Sequence, residues 1–414
     1  MNFKSPFTNK VKTVPVYDIT SFWSFNTAFH TRLIGLEKPP VRFSTGRMTV
    51  KGINRIGILT AGGDCPGLNA VIRAVAKTAL RKYNLEVMGI EDGFLGLIQN
   101  RMRPLDNESV SNILTLGGTI LGTNNKIAPR RYPMKVDGKT EFRDVTDRCM
   151  EYIAVNDLDA LVVIGGDGSM SIASDFVQLG VNCIGVPKTI DNDLYGTDVT
   201  FGFATAVSVA TDALDRVHTT AASHHRVMIV EVMGRNAGWI ALHSGVASGS
   251  DIILLPEIPF DINKICECVI GRSKRGKAFS IICVAEGARY EGGEQVVNRF
   301  DPNSPDPVRL GGIGQKVAAD IEEKTGIETR PITLGHVQRG GTPVAADRVL
   351  ATEFGNKAIE LLMSGEESRL VVMKGRTVTH IPLQEAANKQ RLIPLDHPLI
   401  DAARNVGTCF GDEV

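Results

Sequence analysis

Two glycine-rich segments and one without glycine place carboxylates, hydroxyls and a lysine directly after apolar runs, a composition suited to handling phosphate. In the first, Val162-Val163-Ile164 leads into Gly165, Gly166, Asp167, Gly168 and Ser169. A hard oxygen on Asp167 beside the open backbone donors of Gly166, Gly168 and Ser169 is what holding Mg2+ against a polyphosphate requires. A plain helix cap is the competing role for the same aspartate. The second is Pro187-Lys188-Thr189-Ile190-Asp191-Asn192-Asp193. Two carboxylates two residues apart let one take a proton from an attacking hydroxyl while the other helps place a metal. A solvated Asp/Asn turn is the alternative, and Lys188 reads either as a surface lysine or as a cation against a transferring phosphate. The third, Gly62-Gly63-Asp64-Cys65-Pro66-Gly67 before a helical pattern, suits a phosphate at a helix start. It is neither G-x-G-x-x-G nor a Walker loop.

A basic set completes the inventory. Arg226 opens an apolar run that ends in Met233-Gly234-Arg235, and Glu286 stands in Ala285-Glu286-Gly287-Ala288-Arg289. His336 and Arg339 follow Arg330 within Arg330–Gly341. Arginine forks grip phosphate, and neighbouring glycines keep the approach clear. Singly, each arginine serves equally well as a surface residue. The histidines show no zinc spacing.

These residues sit on a regular alternation. Strands are predicted at Arg55–Thr60, Ala160–Ile164, Asn182–Val186, Arg226–Val232, Ile252–Leu255, Ser280–Ala285 and Arg330–Leu334, with helices such as Leu68–Lys82, Ala204–Thr219 and Ile313–Lys324 between them. That order predicts α/β layers with mainly parallel strands and a ligand site beyond their carboxyl ends. Phe300–Gly312, rich in Pro, Gly and polar residues, reads as a surface loop.

With 414 residues, 43% apolar and 22% charged, disorder and a disulfide-stapled miniprotein are excluded. Forty-six basic and forty-six acidic residues cancel, so bulk charge points to neither nucleic acid nor an anionic membrane. No apolar stretch reaches the length of about 20 residues that a membrane helix needs. Seven cysteines without a C-x-x-C pair read as reduced thiols. Residues 1–47 differ: seven Lys/Arg face two acids, with eight aromatics. This segment reads as a tail, as an organelle address, or as sequence ahead of a start at Met48.

Taken in order, the segments GGDCPGLNA, GGDGS, PKTIDND, MGRNAG, AEGAR and LGHVQRGGTP resemble the 6-phosphofructokinase family from about Ile53 to about Arg348. The resemblance implies two similar Rossmann-like αβα domains with mainly parallel sheets facing an active-site cleft. It implies a donor-binding domain of residues 51–202 plus about 339–390, and a sugar-phosphate domain of 203–338 plus about 391–414, after an extension of 1–50. It also implies phosphoryl transfer to the 1-hydroxyl of fructose 6-phosphate with Mg2+. By the same resemblance Asp191 is the general base, flanked by Thr189 and Asp193, and Lys188 joins the catalytic group. Asp167 serves Mg2+, and Arg235 stabilises the phosphoryl group in flight. Arg226 and Arg330 match arginines that hold the sugar 6-phosphate, often from a neighbouring subunit, which implies a homo-oligomer, dimer or tetramer. Met233, Glu286, His336 and Arg339 match the rest of the sugar pocket, and Gly62 lies beside the donor phosphates with Gly166, Gly168 and Ser169.

Two departures bear on the donor. Where the family places an arginine after Gly-Thr-x-Leu-Gly, this chain offers Asn125 or Lys126, and Lys126 is preferred because the charge is needed more than the fork. Gly168 resembles the ATP users, whereas Lys188 resembles the pyrophosphate users. An aspartate at 168 would set an anion where the α-phosphate of a nucleotide lies, and glycine leaves that space open. ATP is therefore the expected donor, with pyrophosphate second, and a cytoplasmic location is expected. A non-catalytic sugar-phosphate-binding paralogue is disfavoured, because Asp167, Asp191 and Arg235 are all present.

Overall fold

The computed structural model describes residues 52–137, 139–300 and 308–413. The three readings of residues 1–47 lie outside the described residues. Two sheets organise the rest. In the first, Arg55–Thr60, Glu86–Ile90, Ala160–Gly165, Cys183–Pro187 and Arg369–Lys374 run parallel, with Met102–Pro104 and Thr377–Pro382 as antiparallel edges. In the second, Thr329–Thr333, Val227–Val232, Ser280–Ala285 and Ile252–Leu254 are all parallel.

Parallel strands are covered on both faces, so they carry near-continuous apolar runs rather than alternation. Ala160–Gly165 and Val227–Val232 are accordingly buried at every position. On one face of the first sheet Ile58, Val162 and Ile164 pack with Val71 and Phe354. On the other, Leu59, Leu161 and Val163 pack with Phe94 and Phe176. The second sheet repeats the arrangement, with Met228 and Val230 in the core that includes Trp239 and Ile229 and Ile282 packed with Val317. One apolar cluster runs through both sheets, joined by the helix Phe203–His224. The chain leaves the first sheet at Pro187 and builds the second. It returns through the helix Ala345–Met363 to add Arg369–Pro382, and closes on the second sheet where Cys409 bridges Ile252.

The expected strands and helices are present with small shifts at their ends. Leu68–Lys82 is α-helical only to Thr78 and then widens into a π turn, Ala79–Tyr83, closed by Asn84 in the left-handed region. The predicted loop Phe300–Gly312 is corrected in part, since Val297–Phe300 pairs antiparallel with Val308–Leu310. Val297, Val308 and Leu310 supply strand-forming side chains at its two ends. The prolines that signalled a loop belong to 301–307, outside the described residues. The search for helices among the described residues finds none long and apolar enough to cross a membrane.

Candidate active site

Every glycine-carboxylate segment follows the carboxyl end of a parallel strand, so the first sheet delivers three loops to one edge. The loop after Ala160–Gly165 turns directly into the helix Asp167–Gln178. Gly166, extended, is its N-cap and makes no side-chain cap bond, so Asp167 is a first-turn acid and not the cap. Asp167 Oδ2 accepts from Gln390 Nε2 at 3.2 Å. The Cβ position of Gly168 has nothing within 4 Å, so the space beside Asp167 is open. Ser169 is buried, and a Cβ on Gly165 would lie 2.3 Å from its own Cβ.

Lys188 is not a surface lysine. It is 3% exposed and its Nζ donates to the carbonyl of Gly63. Burial holds its pKa below the usual lysine value. Gly62, at φ +82°, leaves the room that this ammonium occupies: a Cβ there would stand 3.4 Å from Nζ. The loop carrying Lys126 closes on the same glycine, since the Asn124 carbonyl accepts from Gly62 N–H at 3.1 Å. Lys126 is exposed on that loop, with its N–H on Asn124 Oδ1.

The loop 187–193 is buried at Lys188, Ile190 and Asn192 and half-buried at Thr189, Asp191 and Asp193, which removes the solvated-turn reading. Thr189 Oγ1 accepts from Asp191 N–H and donates to Asp193 Oδ1, both at 3.1 Å. Asn192, at φ +52°, uses its Oδ1 to accept from Thr200 N–H at 3.0 Å. Asp191 Oδ1 is buried without a hydrogen-bond partner. Burial pushes the Asp191 carboxyl up to about 6, with Glu286 and Asp167 raising it and Arg339 and Lys188 opposing. Burial, then the charges of Asp191 and Asp167, push Asp193 up to about 7. Asp167 and Asp191 follow the carboxyl ends of the neighbouring parallel strands Ala160–Gly165 and Cys183–Pro187.

The second sheet contributes from its own carboxyl ends. Glu286 is raised to about 6 by burial and by Glu231. Burial and Arg309 lower Arg235, with the charges of Glu286 and Asp167 opposing. The Arg235 carbonyl lies so close to Gly287 that a Cβ there would sit 1.7 Å away, and it accepts from Gln295 Nε2 at 2.8 Å. Met233 N–H is held by Gln338 Oε1 at 3.3 Å. His336 and Arg339 lie on the 3-10 turn Gly335–Arg339, with His336 exposed. Arg339 reaches the first sheet's glycine loop, where Nη1 donates to the Asp64 carbonyl at 2.9 Å.

Arg226 and Arg330 are not brought to this edge. Each begins its strand at the amino end, and both bind Glu328, with Arg226 Nε at 2.6 Å. Sequence reasoning missed Gln390, Arg391, Asn236 and Gln338. Asn236 and Gln338 stand within MGRNAG and LGHVQRGGTP without being singled out, Gln390 and Arg391 lie outside every segment, and the folded contacts reveal all four. A cavity of about 820 Å3 adjoins Asn236 and Gln390, walled further by Glu257, Arg289 and Leu392, and does not include the two carboxylates.

A family model described as Phosphofructokinase matches residues 55–362. The chain is 52% identical over 362 residues to ATP-dependent 6-phosphofructokinase 2 of Clostridium perfringens, covering 87% of this chain and 99% of that one. It is 44% identical over 366 residues to ATP-dependent 6-phosphofructokinase 1 of Synechocystis, covering 87% and 99%. Among solved structures, Pichia pastoris phosphofructokinase in the T-state is similar at TM-score 0.69 and 31% identity, over 82% of this chain and 36% of the yeast chain. A pyrophosphate-dependent phosphofructokinase from Nitrosospira multiformis shares the fold at TM-score 0.71 and 22% identity, over 83% and 87%.

Proposed function

The chain belongs to the phosphofructokinase family, and on that premise we propose that it transfers the γ-phosphoryl group of ATP to the 1-hydroxyl of D-fructose 6-phosphate, giving fructose 1,6-bisphosphate and ADP. The observation that carries the mechanism is the buried, unpartnered Oδ1 of Asp191. An acceptor oxygen in that setting is completed by a hydroxyl proton, which Asp191 removes as the oxygen attacks. Thr189 fixes the base through its N–H. Arg235 neutralises charge on the group in flight, and Lys188 holds the glycine loop that faces the donor. Met233, Glu286, His336 and Arg339 form the sugar pocket. Gly62, Gly166, Gly168, Ser169 and Lys126 face the donor.

The acids at the site fit a divalent cation. Among the described residues no set of three or more His, Cys, Asp or Glu could hold a metal alone. Mg2+ asks for less, one or two carboxylates with phosphate oxygens and water, and Asp167, beside the open space at Gly168, meets that need. Asp167 would hold the ion, which would supply positive charge against the donor phosphates.

We divide the described chain into a donor-binding domain, 51–202 with about 339–390, and a sugar domain, 203–338 with about 391–414. The placement of Arg226 and Arg330 away from their own site supports a dimer or tetramer in which they serve a neighbour. Full activity in a monomer isolated by size exclusion would refute that sharing. Seven unbridged thiols suit a reducing cytoplasm.

Rates with Mg-ATP and Mg-pyrophosphate at equal fructose 6-phosphate test the donor. Turnover with ATP is expected, and Gly168→Asp should raise the KM for ATP by about tenfold to a hundredfold, since like charges brought together cost several kcal/mol. Activity with pyrophosphate alone would overturn the assignment.

The base must be ionised to act, and its carboxyl is raised. Below about pH 7 a growing fraction of free enzyme carries the proton on the Asp191–Asp193 pair, so kcat/KM should fall with acid. A profile flat from pH 8 to pH 5.5 would contradict this.

A further inference from the structure

The segment after the last strand of the first sheet crosses to the second, and one side chain on it touches both. Gln390 forms a backbone bridge with Leu194. Its Nε2 donates to Asp167 Oδ2 at 3.2 Å, and its Oε1 accepts from Asn236 Nδ2 at 3.0 Å. The neighbouring residues hold the segment without help from that amide. Arg391 N–H donates to the Asp193 carbonyl at 2.7 Å, and its Nη1 to the Asn192 carbonyl at 3.2 Å. Its guanidinium lies 4.1 Å from the centre of the Trp239 ring, a cation–π contact, while its carbonyl accepts from Trp239 Nε1 at 3.0 Å. Ile393 N–H donates to Glu257 Oε1 at 3.0 Å, and the same oxygen takes Gly238 N–H at 3.1 Å.

We propose that Gln390 is a positioning residue for phosphoryl transfer, its amide fixing the Asp167 carboxylate on the donor side and tying it to the loop that carries Arg235. This rests on the function proposed above. A side-chain amide alone offers a donor and an acceptor on one planar head, which the two partners here require. Glutamate would turn an acceptor toward Asp167, leucine would offer neither group, and asparagine is one methylene short. Gln390 is exposed, and a single hydrogen bond open to water contributes little to stability. Its contribution is directional: with one oxygen of Asp167 held, the other is presented in a fixed direction.

Wild type, Gln390→Leu, Gln390→Glu, Asn236→Ala and the Gln390→Leu/Asn236→Ala pair test this by three readouts. These are kcat and KM with Mg-ATP and fructose 6-phosphate, Mn2+ binding by electron paramagnetic resonance with a non-hydrolysable ATP analogue, and the thermal unfolding midpoint. Gln390→Leu should lower kcat roughly tenfold and weaken Mn2+ by a similar factor, the scale seen when a partner of a metal ligand is removed. The fructose 6-phosphate KM and the unfolding midpoint should hardly move. Gln390→Glu should also lose kcat, and the paired variant should lose no more than the worse single one, because both changes break one link. Wild-type kcat and Mn2+ affinity in Gln390→Leu, losses that multiply in the pair, or a lost kcat that tracks a lowered midpoint would each overturn the proposal. Failure of the wild type to phosphorylate fructose 6-phosphate would instead count against the proposed function, and the Mn2+ comparison would then judge Gln390 by itself.

Discussion

Asp191→Asn is expected to lower turnover with Mg-ATP and fructose 6-phosphate by about 10²–10⁴-fold, the range for loss of a positioned general base. Asparagine keeps the shape, and the backbone bond to Thr189 is untouched, so binding of fructose 6-phosphate by calorimetry should stay within a few-fold. A variant that turns over normally would remove Asp191 from the chemistry. The same change should stabilise the protein at pH 8. Burial raises the folded pKa to about 6 from the ordinary 3.8, so the native chain holds this proton more tightly than the unfolded one. Stability from that source is fully present below about pH 4 and is lost as pH rises through about 6. Asparagine avoids the penalty of the buried charge, and unfolding at pH 8 should gain on the order of 3 kcal/mol over wild type. At pH 4 the gain should vanish. Loss of activity together with gain of stability is the mark of a carboxylate kept for reaction.

Arg235→Ala is the second large effect. Transfer of a phosphoryl group spreads negative charge over oxygens that a preorganised cation neutralises, and removal of one such donor costs about 10²–10³-fold in kcat. Burial lowers the pKa of Arg235 but leaves a guanidinium charged, so the charge is constant across the working pH range. Its backbone is fixed by Gln295 and by the close face of Gly287. Arg235→Lys should recover only part of the rate, because a point charge on a flexible stem does not reproduce the fork. Single-turnover measurements should place the loss in the chemical step. A loss confined to KM would assign Arg235 to ground-state binding.

The architecture and the carboxylate loops were legible because their signals are local. Val162-Val163-Ile164 before Gly165-Gly166-Asp167 announces a buried strand turning into a helix, and the protein has that strand and that helix. The role of Asp167 at the helix start was not legible, because capping and first-turn positions differ by one residue and share the same preference for aspartate. The burial of Lys188 could not be read either. A lysine beside Thr and Asp looks solvated until the Gly63 carbonyl is folded against it. The strands Glu86–Ile90 and Arg369–Lys374 escaped notice. Their apolar runs are short and mixed with Gly89, Glu86, Arg369 and Lys374, and pairing with neighbours distant in sequence makes them strands. Gln390 lies outside every segment, and Asn236, though inside MGRNAG, was passed over, since amides become informative only when their partners are known.

Arg369–Lys374 lies beside Cys183–Pro187, with Leu370 opposite Gly185. On a ribosome adding about 5–20 residues per second, roughly 10–40 s separate the emergence of these two strands. Throughout that interval one edge of Cys183–Pro187 has its backbone groups open to any strand it meets. Biosynthesis of this protein therefore includes a period of self-association hazard that ends only when Arg369–Lys374 has been made, and holding nascent chains apart through that period should raise its yield.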